Sequence, residues 1–284
     1  MKKKINYLDI VTIVLLCVIS IAGMLSMDFT KSYEVTNQYG TIVKMFGSGI
    51  YTHDSYFKAP ILIGTDFCIL IVFVPLFIYT VLKNRKASTN STKVQLASVY
   101  AVAFYYAASI SFGVTFNQFH LLYIALFSCS LFGMFSVMRK ITISQLNFEL
   151  TKGVKIFLVI AGLALIIAWL PDIIPTIFNG KSLALIEIYT TEPTYILDMG
   201  IIGPLCLVCL FLLKRRDNLG TLIFALLIKT CMVVGAMMFF QTICQVLSGY
   251  ELTLPVLICK SGSFVVLGGF AIYFNTKLYK RLAL

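Results

Sequence analysis

The feature that most constrains this 284-residue chain is a succession of eight apolar runs, near 8–27, 61–82, 95–116, 119–138, 154–170, 196–213, 219–240 and 254–274. Each approaches the roughly 20 residues that an α-helix needs to cross the hydrocarbon core of a bilayer. A chain in hydrocarbon must satisfy its backbone polar groups internally, which favours helices over open sheet. The expectation is therefore an all-α, polytopic transmembrane helix bundle of eight helices, forming one domain over residues 1–284. Composition agrees: 59% of residues are hydrophobic and only 12% charged, where a soluble domain carries about a quarter charged. Met1-Lys-Lys-Lys ahead of the first run looks like a signal-peptide start. The run continues to about Met27 with no small-residue cleavage site, so a retained first helix is expected.

Charge sets the expected orientation. The chain carries 23 Lys+Arg against 12 Asp+Glu, a net charge of +11. In a soluble protein such a balance points to nucleic acid. Here the basic residues sit in short clusters between apolar runs, which reads as orientation, with no nucleic-acid partner. One set of segments holds Lys2–Lys4, Lys83, Arg85, Lys86, Lys93, Arg139, Lys140, Lys152, Lys155, Lys214–Arg216, Lys277, Lys280 and Arg281. The other holds Lys31, Lys44, Lys58 and Lys181. That split of 17 to 4 places both termini in the cytoplasm and the long loops 28–60 and 171–195 outside. The first loop, with Gly40, Gly47 and Gly49, reads as structured or as a short hairpin. The second follows Trp169 and is expected to hold helices on the membrane surface.

Seven of the eight cysteines fall within apolar runs, and only Cys244 approaches a loop, so no disulfide framework is expected. Cys206 and Cys209 have redox spacing but sit mid-helix, where a thiolate is costly. They read as small apolar residues. The two histidines, His53 and His120, stand apart, and no His, Cys and carboxylate set has metal-ligand spacing. Neither a metal nor another cofactor is expected. His53-Asp54 reads as a solvated turn in preference to an acid–base pair. No catalytic triad can be assembled, which disfavours an enzyme.

Polar residues inside apolar runs are costly and mark function or pairing. Asp66, Asn117, His120, Asp198, Lys229 and Lys260 all read as lying at or above mid-depth on the outer side. That distribution suits a polar pocket opening outward, with these six as its ligand-binding residues. The competing reading is a structural ion pair of Lys229 with Asp66 or Asp198. Either way Lys229 is expected to be charged and paired. Tyr100, Tyr105, Tyr106 and Tyr123 need hydrogen-bond partners. Tyr105 and Tyr106, about 100° apart on a helix, are expected not to face inward together. Ala103, Ala107, Ser111 and Thr115 form a small-residue stripe for close packing. Gly200, Gly203 and Pro204 mark a kink.

Several long motifs resemble those of a family of uncharacterised bacterial multi-pass membrane proteins. They are Gly49-Ile-Tyr-Thr-His-Asp-Ser-Tyr-Phe-Lys-Ala59 with Gly64-Thr-Asp66; Tyr105 to Asn117; Leu121 to Ser128; Leu197-Asp-Met-Gly-Ile-Ile-Gly-Pro204; and Leu226-Leu-Ile-Lys229 with Phe240-Gln241. The resemblance implies a single multi-helix domain in a bacterial plasma membrane, and carries no assigned activity or functional residues. The expected function is binding or transport of a small molecule or ion through the outward pocket. The alternatives are a membrane enzyme acting on a lipid head group through Asp66 or His53-Asp54, and a non-catalytic sensor or assembly component whose outer loops bind a protein. The lipid bilayer is the expected partner throughout.

Overall fold

The computed structural model describes residues 6–180, 182–183, 185–250 and 262–282. The chain is an all-α bundle. Its helices are α1 (Tyr7–Leu25), α2 (Lys58–Lys86), α3 (Asn90–Gly113), α4 (His120–Met138), α5 (Lys152–Ile167) continued by α6 (Leu170–Asn179), α7 (Pro193–Lys214), α8 (Asn218–Leu247) and α9 (Ser263–Leu282). Seven spans among the described residues are long and apolar enough to cross a membrane, α5 and α6 counting as one. The expected run near 254–274 is described from residue 262 onward, where α9 carries it to Leu282.

Five helices begin on polar caps, α7 among them, with Glu192 accepting the Thr194 amide. Asn6, Thr89, Thr151 and Asp217 each accept a backbone N–H of the first turn of α1, α3, α5 and α8, satisfying a donor that the helix leaves open. Two helices carry π-helical turns, Ile69–Phe73 in α2 and Ile196–Ile202 in α7. Each lies just ahead of a proline, Pro75 or Pro204. Proline has no N–H for the carbonyl four residues back and its ring crowds that carbonyl, so the turn widens. Between α5 and α6 the chain breaks at Ala168–Trp169, ahead of Pro171.

Side-chain ties define two faces. On one, Asn90 and Thr142 exchange two hydrogen bonds of 2.9 Å, Asn218 reaches the Ser144 carbonyl and Arg281 pairs with Glu149. This is the basic face. The other carries an antiparallel hairpin, β1 (Tyr33–Thr36) with β2 (Ile42–Met45), in register Tyr33 to Met45. Asn37 accepts from the Tyr39 and Thr41 amides, and Gly40 supplies the left-handed residue (φ 77°) that closes the turn. The loop expected at 28–60 is thus a structured hairpin segment. Of the region expected to hold surface helices, α6 is described, and it buries no residue.

The bundle centre is filled by α2, α3 and α8. At the α8–α9 crossing, a Cβ on Gly235 would lie 2.7 Å from the Gly268 Cα, so only glycine permits that approach.

Candidate functional site

On the hairpin face the helices part around a cavity of about 350 Å³, within the range of small-molecule sites. Helices α2, α3, α7 and α8 form its walls, and Leu183, Leu185, Ile186 and Glu192 are part of its rim. Ile61, Leu62, Val234, Met237 and Met238 supply an apolar body. Polar groups converge at three levels. At the mouth Lys58 pairs with Glu192 at 2.8 Å and lies 4.1 Å over the Tyr189 ring. Lower, Gln241 donates to Thr65 at 2.7 Å. At the floor Asp198, 2% exposed, accepts from the Tyr105 hydroxyl at 2.9 Å and from Trp169 Nε1 at 3.2 Å.

Asp198 also lines a smaller void beside Thr230, Cys231 and Leu267. Its side chain projects from the π-turn of α7, which changes the angular spacing of residues relative to a regular helix. Such turns concentrate at functional sites. A carboxylate has about four lone-pair positions. With two donors in place, Asp198 retains capacity for a ligand's N–H or O–H.

Asp66 lies elsewhere. It is fully buried, and accepts from Tyr51 at 2.5 Å on Oδ2 and from Tyr106 at 2.7 Å on Oδ1. Helix α1 presses against it through Gly23, where a Cβ would fall 1.7 Å from Oδ2. Tyr105 and Tyr106 both line the cavity, contrary to expectation. The cavity wraps around α3, so residues about 100° apart reach it while their hydroxyls point to different carboxylates.

Three further expectations fail. Lys229 is 5% exposed and forms no ion pair with a carboxylate among the described residues. Its ammonium instead lies 5.4 Å from the ring of Tyr279, near the C-terminus of α9. It therefore faces toward the basic side and lines neither cavity. Asp66 and Asp198 have taken tyrosine and tryptophan donors, which satisfy a carboxylate without a cation. Asn117 braces the loop after α3. Its Nδ2 donates to Ile50 O and to Tyr123, and its Oδ1 accepts from the Phe119 amide. His120, at the start of α4, stacks near Phe116 at 5.2 Å and is also away from the cavity. Lys260 lies outside the described residues.

His53-Asp54 is not a solvated turn. His53 is exposed and bonds Tyr33, while Asp54 is fully buried. Asp54 Oδ1 accepts from the Thr115 amide and hydroxyl and from Tyr189, at 2.9–3.0 Å. Burial pushes its carboxyl up to about 6, against the pull of those donors. Glu187 is raised by burial too. The basic half also holds a buried carboxylate that sequence reasoning passed over. This is Asp9, 4% exposed, which accepts from Tyr100 at 2.6 Å. Cys206 and Cys209 are free and buried.

Of the six residues expected at the pocket, the structure places Asp198 in it and Asp66 one tyrosine behind its wall. Lys58, Trp169, Glu192 and Gln241 were missed. Their only sequence signal was a polar or aromatic residue at a run's end, which is ordinary at a membrane interface. Among the described residues no group of three His, Cys, Asp or Glu could hold a metal ion. Compared with protein families, curated proteins and solved structures, the chain matches none.

Proposed function

We propose that this membrane protein binds a small amphipathic molecule in the hairpin-face cavity, as the substrate site of a transporter or receptor does. The observation that carries the reading is the cavity itself, apolar along its body, with a buried carboxylate of spare acceptor capacity at its floor. The ligand would lay an apolar body against Met237 and Met238 and present a hydrogen-bond donor to Asp198. The 17-to-4 distribution of basic residues supports an outward-facing cavity with cytoplasmic termini. The motif resemblance supports a bacterial plasma membrane as its location.

Trp169 is the sole tryptophan and donates to Asp198, so its fluorescence reports on the floor. Purified protein screened against metabolites, ions and lipids should yield compounds that raise the thermal midpoint and change Trp169 emission. Asp198→Asn should weaken those compounds, and Val234→Phe, which fills the cavity, should abolish their effect. Compounds acting equally on Val234→Phe would refute the site.

A further inference from the structure

We propose that Asp66, Tyr106 and Ser20 form a proton-binding switch reached from the cavity side. The carboxyl is sealed from lipid and from the basic face. Gly23 lies against Oδ2, and below it Leu16 and Ile19 on α1 and Ala103 on α3 are fully buried. The titratable groups facing it are Tyr51 from the hairpin segment, Tyr106 from α3, Tyr123 from α4 and Cys244 from α8. Among the described residues no cation pairs with it. A change in its charge can therefore be balanced by a proton. Tyr106 stands between it and the cavity, lining the cavity while its hydroxyl donates to Oδ1.

A second observation shows where the hydrogen bonds go when the proton arrives. Ser20 on α1 is fully buried and its Oγ has no hydrogen-bond partner, yet it faces the Tyr106 hydroxyl. A buried hydroxyl without a partner is costly and calls for a reason. In the present arrangement both tyrosines donate to the carboxylate. A hydronium ion in the cavity gives its proton to Tyr106 Oη and leaves as water, while the proton Tyr106 held toward Asp66 passes to Oδ1. The new Oδ1–H then donates to Tyr106 Oη. The proton that Tyr106 has received turns to Ser20 Oγ, the vacant acceptor. Tyr51 keeps its bond to Oδ2 throughout. Loss of the proton reverses each step, so the cavity wall at Tyr106 has two hydrogen-bonded states.

The test is independent of any cavity ligand. Infrared difference spectra between acid and alkaline pH are recorded on the purified protein in lipid nanodiscs. A carboxylic C=O band should appear on acidification, disappear in Asp66→Asn and persist in Asp198→Asn and Asp9→Asn. Ser20→Ala and Tyr106→Phe should shift that band, since each removes a member of the switch. Identical spectra from wild type and Asp66→Asn overturn the proposal. If Asp66→Asn does not fold, bands left unmoved by both Ser20→Ala and Tyr106→Phe overturn it equally.

Discussion

At the scale of single residues, three buried carboxylates, Asp9, Asp66 and Asp198, and one buried ammonium, Lys229, share the helices, and among the described residues no ion pair joins them. Which residues were costly in hydrocarbon could be read from the chain, since residue type and position in a run suffice. Which of them met could not. A uniformly apolar run leaves the rotation of a helix about its axis open, and rotation decides partners. Lys229 stands about 17 Å from the start of a helix about 45 Å long, close enough to mid-depth for either face to claim it. Because no carboxylate among the described residues depends on it, Lys229→Met should leave stability unchanged or raised. A true buried pair would instead cost about 3–5 kcal/mol on losing one partner. Combining it with Asp66→Asn should give additive changes within about 0.5 kcal/mol, as for separated sites. Thermal unfolding of the two single variants and the double variant measures this, and rescue in the double would restore the pair.

At the scale of elements, the kink in α7 was legible from Gly200, Gly203 and Pro204, but its π character was not. A proline says that a carbonyl loses its donor, whereas the neighbouring packing decides whether the helix bends or widens. Pro204→Ala returns the missing N–H and lets α7 relax toward a regular helix, which rotates Asp198 relative to Trp169. The expected result is a folded protein whose Trp169 emission moves in the same direction as in Asp198→Asn. Unchanged emission would show that the proline does not set the floor. The hairpin segment makes its own prediction through Asp54. Its carboxyl sits at about 6 when folded against about 3.9 when free, so the neutral acid favours docking. That contribution is complete below about pH 4 and is lost as pH rises through about 6, amounting to at most about 3 kcal/mol. Hydrogen exchange over residues 50–56, corrected for intrinsic rates, should show protection falling from pH 4 to pH 7. Asp54→Asn should flatten the profile.

At the scale of the whole molecule, the order of the helices followed from run length alone, and seven spans among the described residues are long and apolar enough to cross a membrane. Most helix bounds fell within a few residues of expectation, and the C-terminal ends of α8 and α9 lay seven and eight residues beyond it. The cavity did not follow, because it arises where four helices separate, a relation no single run encodes. Position 51, which charge placement assigns to the outside, is 1% exposed beneath the hairpin and unsuited to labelling. Tyr39, at 53% exposure, takes its place. In a cysteine-free background, a cysteine at 39 should react with an impermeant maleimide in intact cells, and one at 93 or 139 only after permeabilisation. The reverse pattern would invert the orientation.

The hairpin segment is fastened by residues made at widely different times. Thr115 and Asn117 hold it from the α3–α4 turn, Tyr189 and the Glu187 carbonyl from the approach to α7, and the Ser248 carbonyl from the end of α8. During synthesis the hairpin reaches its side of the membrane long before the last of these exists. It must wait, partly docked, until nearly nine-tenths of the chain has been inserted. Completion of the mouth of the cavity is therefore a late event in biogenesis, and a chain arrested after α4 would hold Asp54 by its Thr115 clasp alone.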